Sequence, residues 1–200
     1  MKTILDLANA LDAFFVSIEN GDWYTESNPE LEDGLQLDLY KFLQGEGFPV
    51  VYELGLPNLK PYLDRELNES VRGMSSTVKD SLKPDLVVNL GAFGFACIEL
   101  KYNETDETEC IEDAAKCNVY VKHCSDVHYA ASINLCRNTM EGFNTNKCAD
   151  INYVYNTYES WDKWARPDGF NKANEPYSIR GLWAKRHQEI LNGNGKFADF

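Results

Sequence analysis

The 200-residue chain contains no apolar run of membrane-spanning length. Stretches such as Leu86 to Leu90 and Phe93 to Ile98 are interrupted by polar residues long before the roughly 20 residues that a bilayer requires. Met1 to Leu11 carries Lys2 and Asp6 and has no apolar block ending in a small-residue cleavage site. No secretory leader is therefore expected, and a cytoplasmic location is the default. Cysteine pairs at C-x₂₋₄-C spacing are missing too, which argues against structural zinc. The six cysteines at 97, 110, 117, 124, 136 and 148 are expected to be free thiols, because a chain of this length needs no disulfide framework. Cys110, Cys117 and Cys124, seven apart and close to His123 and His128, read as small apolar side chains on a helix. Repeats and low-complexity tracts are absent.

Positive charge is scarce: 19 Lys and Arg stand against 32 Asp and Glu, a net charge of −13. Such a field repels nucleic acid at long range and favours solubility. The balance reverses only after residue 159, where seven basic residues meet five acidic ones. What is present is an ordinary globular composition, 44% hydrophobic and 26% charged, which excludes a disordered, collagenous or rod-like chain. The length suits one domain over residues 1–200. Its core is expected at about 28–135, with an N-terminal helix over 3–19 and an aromatic, basic extension over about 150–200.

Hydrophobic spacing predicts an amphipathic helix from Thr3 to Ile18, carrying Leu7, Leu11, Phe14, Phe15 and Ile18. A second helix starts near Asn28-Pro29, carries Leu31, Leu35, Leu39 and Phe42 inward, and stops at Gly45 and Gly47. Phe48 to Leu56 reads as a strand, Asn58 to Val71 as helical, and Arg72 to Lys83 as mostly loop. Asp85 to Leu90 and Phe95 to Tyr102 form a hairpin. Thr108 to His123 is a helix and Val127 to Leu135 a strand. Tyr153, Tyr155 and Tyr158 fit either a strand or an aromatic surface, and Tyr177 to Leu191 reads as a final helix.

The residues that carry chemistry are Lys83-Pro84-Asp85 and Glu99-Leu100-Lys101. Alternation places Glu99 and Lys101 on one face of a strand, where unpartnered charge is costly. A two-residue turn at Ala92-Phe93 sets Asp85 opposite Leu100, on the wrong face. A three-residue loop, Ala92-Phe93-Gly94, uses Gly94 for the left-handed position. It sets Asp85 opposite Lys101 and Val87 opposite Glu99, with Asp85 and Glu99 as diagonal neighbours. Two carboxylates so close repel each other unless a cation intervenes. All-oxygen ligation with retained water suits Mg²⁺ or Mn²⁺. Such an ion polarises a phosphoryl oxygen and acidifies a water, while the lysine orients that water. The reaction this implies is phosphodiester hydrolysis by in-line attack.

Pro84-Asp85 followed by Glu99-Leu100-Lys101 resembles the signature of the PD-(D/E)xK nuclease superfamily, the restriction-endonuclease-like fold. The resemblance covers about 28–135 and extends to the order helix, three strands, helix, strand. It implies an α/β fold with a mixed sheet of four or more strands flanked by helices, and a Mg²⁺-dependent deoxyribonuclease, an endonuclease among the options. Asp85 and Glu99 then bind metal, the Leu100 carbonyl completes the shell, and Lys101 serves the attacking water. Relatives often add an acid from the first core helix, here Glu32 with Glu30 as alternative. Either also reads as an acid complementing the helix dipole. The helix after the signature often sends a polar or basic residue toward phosphate, here Lys116, which also reads as a solvated lysine. Many relatives act as dimers.

Arg180, Lys185 and Arg186, with Trp161, Trp164 and Trp183, could hold a nucleic-acid strand by phosphate contacts and stacking, or form a solvated helix face and core aromatics. The acidic run Glu104, Asp106, Glu107, Glu109, Glu112 and Asp113 is expected to open the helix, where negative charge is favourable. Glu99 and Lys101 alone could also be a cross-strand ion pair. The net charge leaves a second reading open: a non-catalytic acidic interaction protein, mimic or inhibitor, presenting carboxylates in place of phosphates. As a nuclease, the chain is expected to depend on a homodimer or a recruiting partner.

Overall fold

The computed structural model describes residues 2–19, 32–70, 72–78, 81–102, 107–135 and 153–157, together with 188, 191 and 192. Helix α1 spans Ile4–Glu19 and begins with a reciprocal cap. The Thr3 amide donates to Asp6 Oδ2 at 2.7 Å and the Asp6 amide to Thr3 Oγ1 at 3.3 Å, satisfying donors that a first turn otherwise leaves unpaired. Those bonds from Thr3 hold the Asp6 carboxyl below its usual range. Helix α2, Glu32–Gly45, ends in a left-handed Gly47 at φ 81. There Phe48 N donates to the Leu43 carbonyl and Gly47 N to that of Gln44, a Schellman close that packs Phe48 against Leu43.

Five strands form one sheet in the order β1-β2-β3-β4-β5: β1 Val50–Tyr52, β2 Leu86–Asn89, β3 Phe95–Tyr102, β4 Val127–Leu135 and β5 Tyr153–Thr157. The first three run antiparallel, while β4 and β5 lie parallel to β3. The fold is thus α/β with a mixed sheet flanked by helices. Helix α3, Lys60–Ser70, stands between β1 and β2. Helix α4, Glu107–His123, makes the crossover that a parallel β3-β4 pair requires. The segment around Tyr153 is a strand, and the two described residues of the expected final helix, Gln188 and Leu191, are helical.

Alternation along the strands divides the core in two. Leu86, Val88, Ala96, Ile98 and Leu100 pack with Leu7, Leu11, Leu35 and Leu39 of α1 and α2. Val87, Cys97 and Ala130 face the other way, against Leu63 and Leu67 of α3 and Ile111, Cys117 and Tyr120 of α4. Cys97, Cys117 and Cys124 are free thiols, the first two fully buried. Among the described residues no helix is long and apolar enough to cross a membrane.

The hairpin differs from expectation in register. Leu86 pairs with Ile98 and Val87 with Cys97, whereas a loop at residues 92–94 would have set Val87 opposite Glu99. The loop has the expected three residues but starts one earlier, as a 3₁₀ turn over Gly91–Phe93, closed by Leu90 N to the Gly94 carbonyl at 2.8 Å. The reason is local: Asn89 Oδ1 accepts the Gly91 amide at 2.7 Å, fixing the turn's start, and Gly91 and Gly94 both adopt positive φ. At Gly94 the backbone lies so close to the turn before β4 that a Cβ would sit 2.5 Å from the Asp126 carbonyl.

Candidate active site

Continuing the observed register by one residue sets Asp85 directly opposite Glu99, not diagonal to it. Position 84 would be next in the hydrogen-bonded ladder, opposite Leu100, but Pro84 has no N–H to give the Leu100 carbonyl. Asp85 fills half of that gap: its Oδ2 accepts the Leu100 amide at 2.6 Å. The proline therefore ends the β2-β3 ladder where the two carboxylates meet.

Glu99 shares its sheet face with Cys97 and is 3% exposed beneath α4. Tyr120, one of the largest fully buried side chains, donates its hydroxyl to Glu99 Oε1 at 2.5 Å, and Lys116 Nζ lies 3.9 Å from Oε2. Burial raises the Glu99 pKa well above the carboxylate range. Lys116 and the Tyr120 hydroxyl oppose that rise, while the charges of Asp85 and Asp113 reinforce it. Tyr120 is likewise pushed up, by burial and then by Glu99. For Lys116, burial favours losing the proton, but Glu99 and Asp113 outweigh it and keep the ammonium charged.

Asp113, 2% exposed, joins the two lysines. Its Oδ1 takes Lys116 Nζ at 2.6 Å, and its Oδ2 lies 4.0 Å from Lys101 Nζ. Lys101, with a side chain 19% exposed, also approaches Glu109 at 3.7 Å. Asp85, Glu99, Lys101 and Lys116 thus form one constellation between the β2-β3 end and α4. Lys116 is mostly buried and ion-paired, not solvated.

Glu32 is the first described residue of α2, whose Leu35 and Leu39 pack on the opposite sheet face; its side chain is outside the described residues. Glu30, Arg180, Lys185, Arg186, Trp161, Trp164 and Trp183 lie outside them as well. The acidic run also needs correcting. Glu107 does open α4, but Glu112 and Asp113 lie farther along it and are buried. Glu112 holds the 72–78 segment, accepting Ser76 Oγ at 3.1 Å, Thr77 Oγ1 at 3.1 Å and Thr77 N at 3.3 Å. Asp113 and Tyr120 are site residues that the strand motif does not reveal. Their signal was helical spacing from Lys116, three residues before it and four after.

The chain matches no family model, no curated protein and no solved structure. Its chemistry therefore rests on the donor set. Among the described residues no group of three or more His, Cys, Asp or Glu is arranged to hold a metal ion. Two facing carboxylates and a backbone carbonyl with proline opposite it nevertheless form an all-oxygen set. Mg²⁺ and Mn²⁺ accept such a set, because they retain water and take further ligands from substrate phosphate.

Proposed function

We propose that this chain is a Mg²⁺- or Mn²⁺-dependent nuclease of the PD-(D/E)xK kind that hydrolyses phosphodiester bonds in DNA. The observation that carries the reading is Asp85 just before β2 accepting the Leu100 amide at 2.6 Å beside Glu99, with Lys116 3.9 Å from Glu99 and Lys101 and Lys116 both reaching Asp113. The order α2, β1, β2, β3, α4, β4, with α3 inserted after β1, supports it.

Asp85, Glu99 and the Leu100 carbonyl would hold the metal. When bound, a divalent cation supplies charge neutralisation and Lewis acidity at a phosphoryl oxygen. Lys101, the strand cation, receives the scissile phosphate, orients the attacking water and offsets the charge that develops. Lys116 supplies a second positive charge beside Glu99, and Tyr120 fixes the Glu99 carboxylate through its hydroxyl. Glu32 is proposed as an added acid, and Arg180, Lys185 and Arg186 as phosphate contacts. The net charge of −13 opposes approach of DNA, so a homodimer or a recruiting partner is part of the proposal. An acidic mimic displays its charges to solvent. The burial of Glu99 and Asp113 beside two lysines favours the enzyme over that reading.

The test is incubation of the purified chain with linear and circular DNA, single- and double-stranded, in Mn²⁺ and in EDTA, beside Lys101→Ala. Cutting that requires metal and disappears in the variant is the expected result. The absence of cutting on every substrate, with no saturable Mn²⁺ binding, overturns the proposal.

A further inference from the structure

Asp113 is buried within a helix, yet the strand motif does not include it and, among the described residues, its Oδ2 accepts no hydrogen bond. A carboxylate in that state is expensive unless nearby cations compensate it. Two lysines approach it: Lys116 at 2.6 Å on Oδ1 and Lys101 at 4.0 Å from Oδ2. Lys116 is also 3.9 Å from Glu99 Oε2, so Glu99 and Asp113 compete for the same ammonium. The shorter distance belongs to Asp113.

The geometry points to Asp113 as a positioning residue that draws Lys116 away from Glu99 and so keeps the Glu99 carboxylate available to a divalent cation. This rests on the nuclease reading and deepens it. Asp85 and Glu99 balance one divalent cation in charge. Lys101 and Lys116 both approach the buried Asp113, whereas Glu109 is over half exposed and screened by solvent. Without Asp113, Lys116 has Glu99 as its nearest buried partner, and metal must displace it.

The experiment is calorimetric titration of the full chain with MnCl₂, with no nucleic acid present. For Asp113→Asn the expected result is Mn²⁺ binding about tenfold or more weaker than wild type. Adding Lys116→Gln to that variant returns binding to the wild-type range, because the competitor for Glu99 is gone. Lys116→Gln alone binds as tightly as wild type or more tightly, which tests the idea even if Asp113→Asn does not fold. Undiminished binding by Asp113→Asn overturns the assignment while leaving the nuclease reading intact. So does a failure of the double variant to recover, or weaker binding by Lys116→Gln. Wild type that binds no Mn²⁺ overturns the metal site itself, and the assignment with it.

Discussion

Replacing Glu99 by Gln separates a catalytic carboxylate from a structural one. The Glu99–Lys116 attraction at 3.9 Å is about 4 kcal/mol before desolvation at an effective dielectric near 20. Burying each ion costs several kcal/mol, so the pair nearly cancels. Gln keeps an oxygen for the Tyr120 hydroxyl, and Lys116 keeps Asp113 at 2.6 Å, so no buried cation is orphaned. The expected stability change at pH 7 is within about 1 kcal/mol, with cleavage abolished. The pH dependence gives the sign. Because burial raises the Glu99 pKa in the folded chain, the native state holds that proton to higher pH than the unfolded state. Wild type therefore loses stability as pH rises from the usual carboxylate range through the raised pKa. The variant does not titrate, so the stability difference shifts in its favour over that interval. Urea unfolding of both proteins at pH 5 and pH 8 measures this. A loss of more than about 3 kcal/mol at pH 8, or a difference that moves against the variant as pH rises, refutes the reasoning.

Lys101→Ala should abolish metal-dependent cutting and cost about 1 kcal/mol, since Glu109 and Asp113 lie at the long distances of 3.7 and 4.0 Å and such pairs contribute little; cleavage and melting assays check both. Glu112→Ala removes four hydrogen bonds that hold Ser76 and Thr77 and should cost about 2 kcal/mol, with faster amide exchange at Thr77. Unchanged exchange there would show that the segment is held by something else. Gly94→Ala meets both a positive φ and the Asp126 carbonyl, so about 2 kcal/mol or more should be lost; an unshifted urea midpoint would contradict the close approach.

Local pattern made much of the fold legible. The expected bounds of β3 and β4 coincide with those observed, because β-branched and apolar residues alternate between polar breaks on those strands. The glycine stop of α2 is similarly plain. Register was harder, since loop chemistry alone admits a glycine at either end of the turn. The decision fell to Asn89, a strand residue whose side chain seizes the Gly91 amide. Asp85, Glu99 and Lys101 were visible as a motif, whereas Asp113 and Glu112 looked like helix-opening acids. Their burial depends on partners that a helical repeat cannot display: Ser76 and Thr77, more than thirty residues earlier, and two lysines on separate elements.

The change of strand direction at β3 bears on how the chain acquires its site. The β2-β3 hairpin closes through a turn of three residues, so loop-closure entropy is small and its contacts form on the fast side of folding. On its own that hairpin sets Asp85 against Glu99 with Lys101 two residues along the strand but without the helix ammonium that reaches Glu99 in the folded chain, a juxtaposition that is only partly compensated. Further relief comes when the β3-α4-β4 crossover docks and brings Lys116 to Glu99. The constellation therefore spans two topological units and is intact in neither. Its repulsion acts as a frustrated contact in the half-formed hairpin and becomes favourable once the crossover is in place.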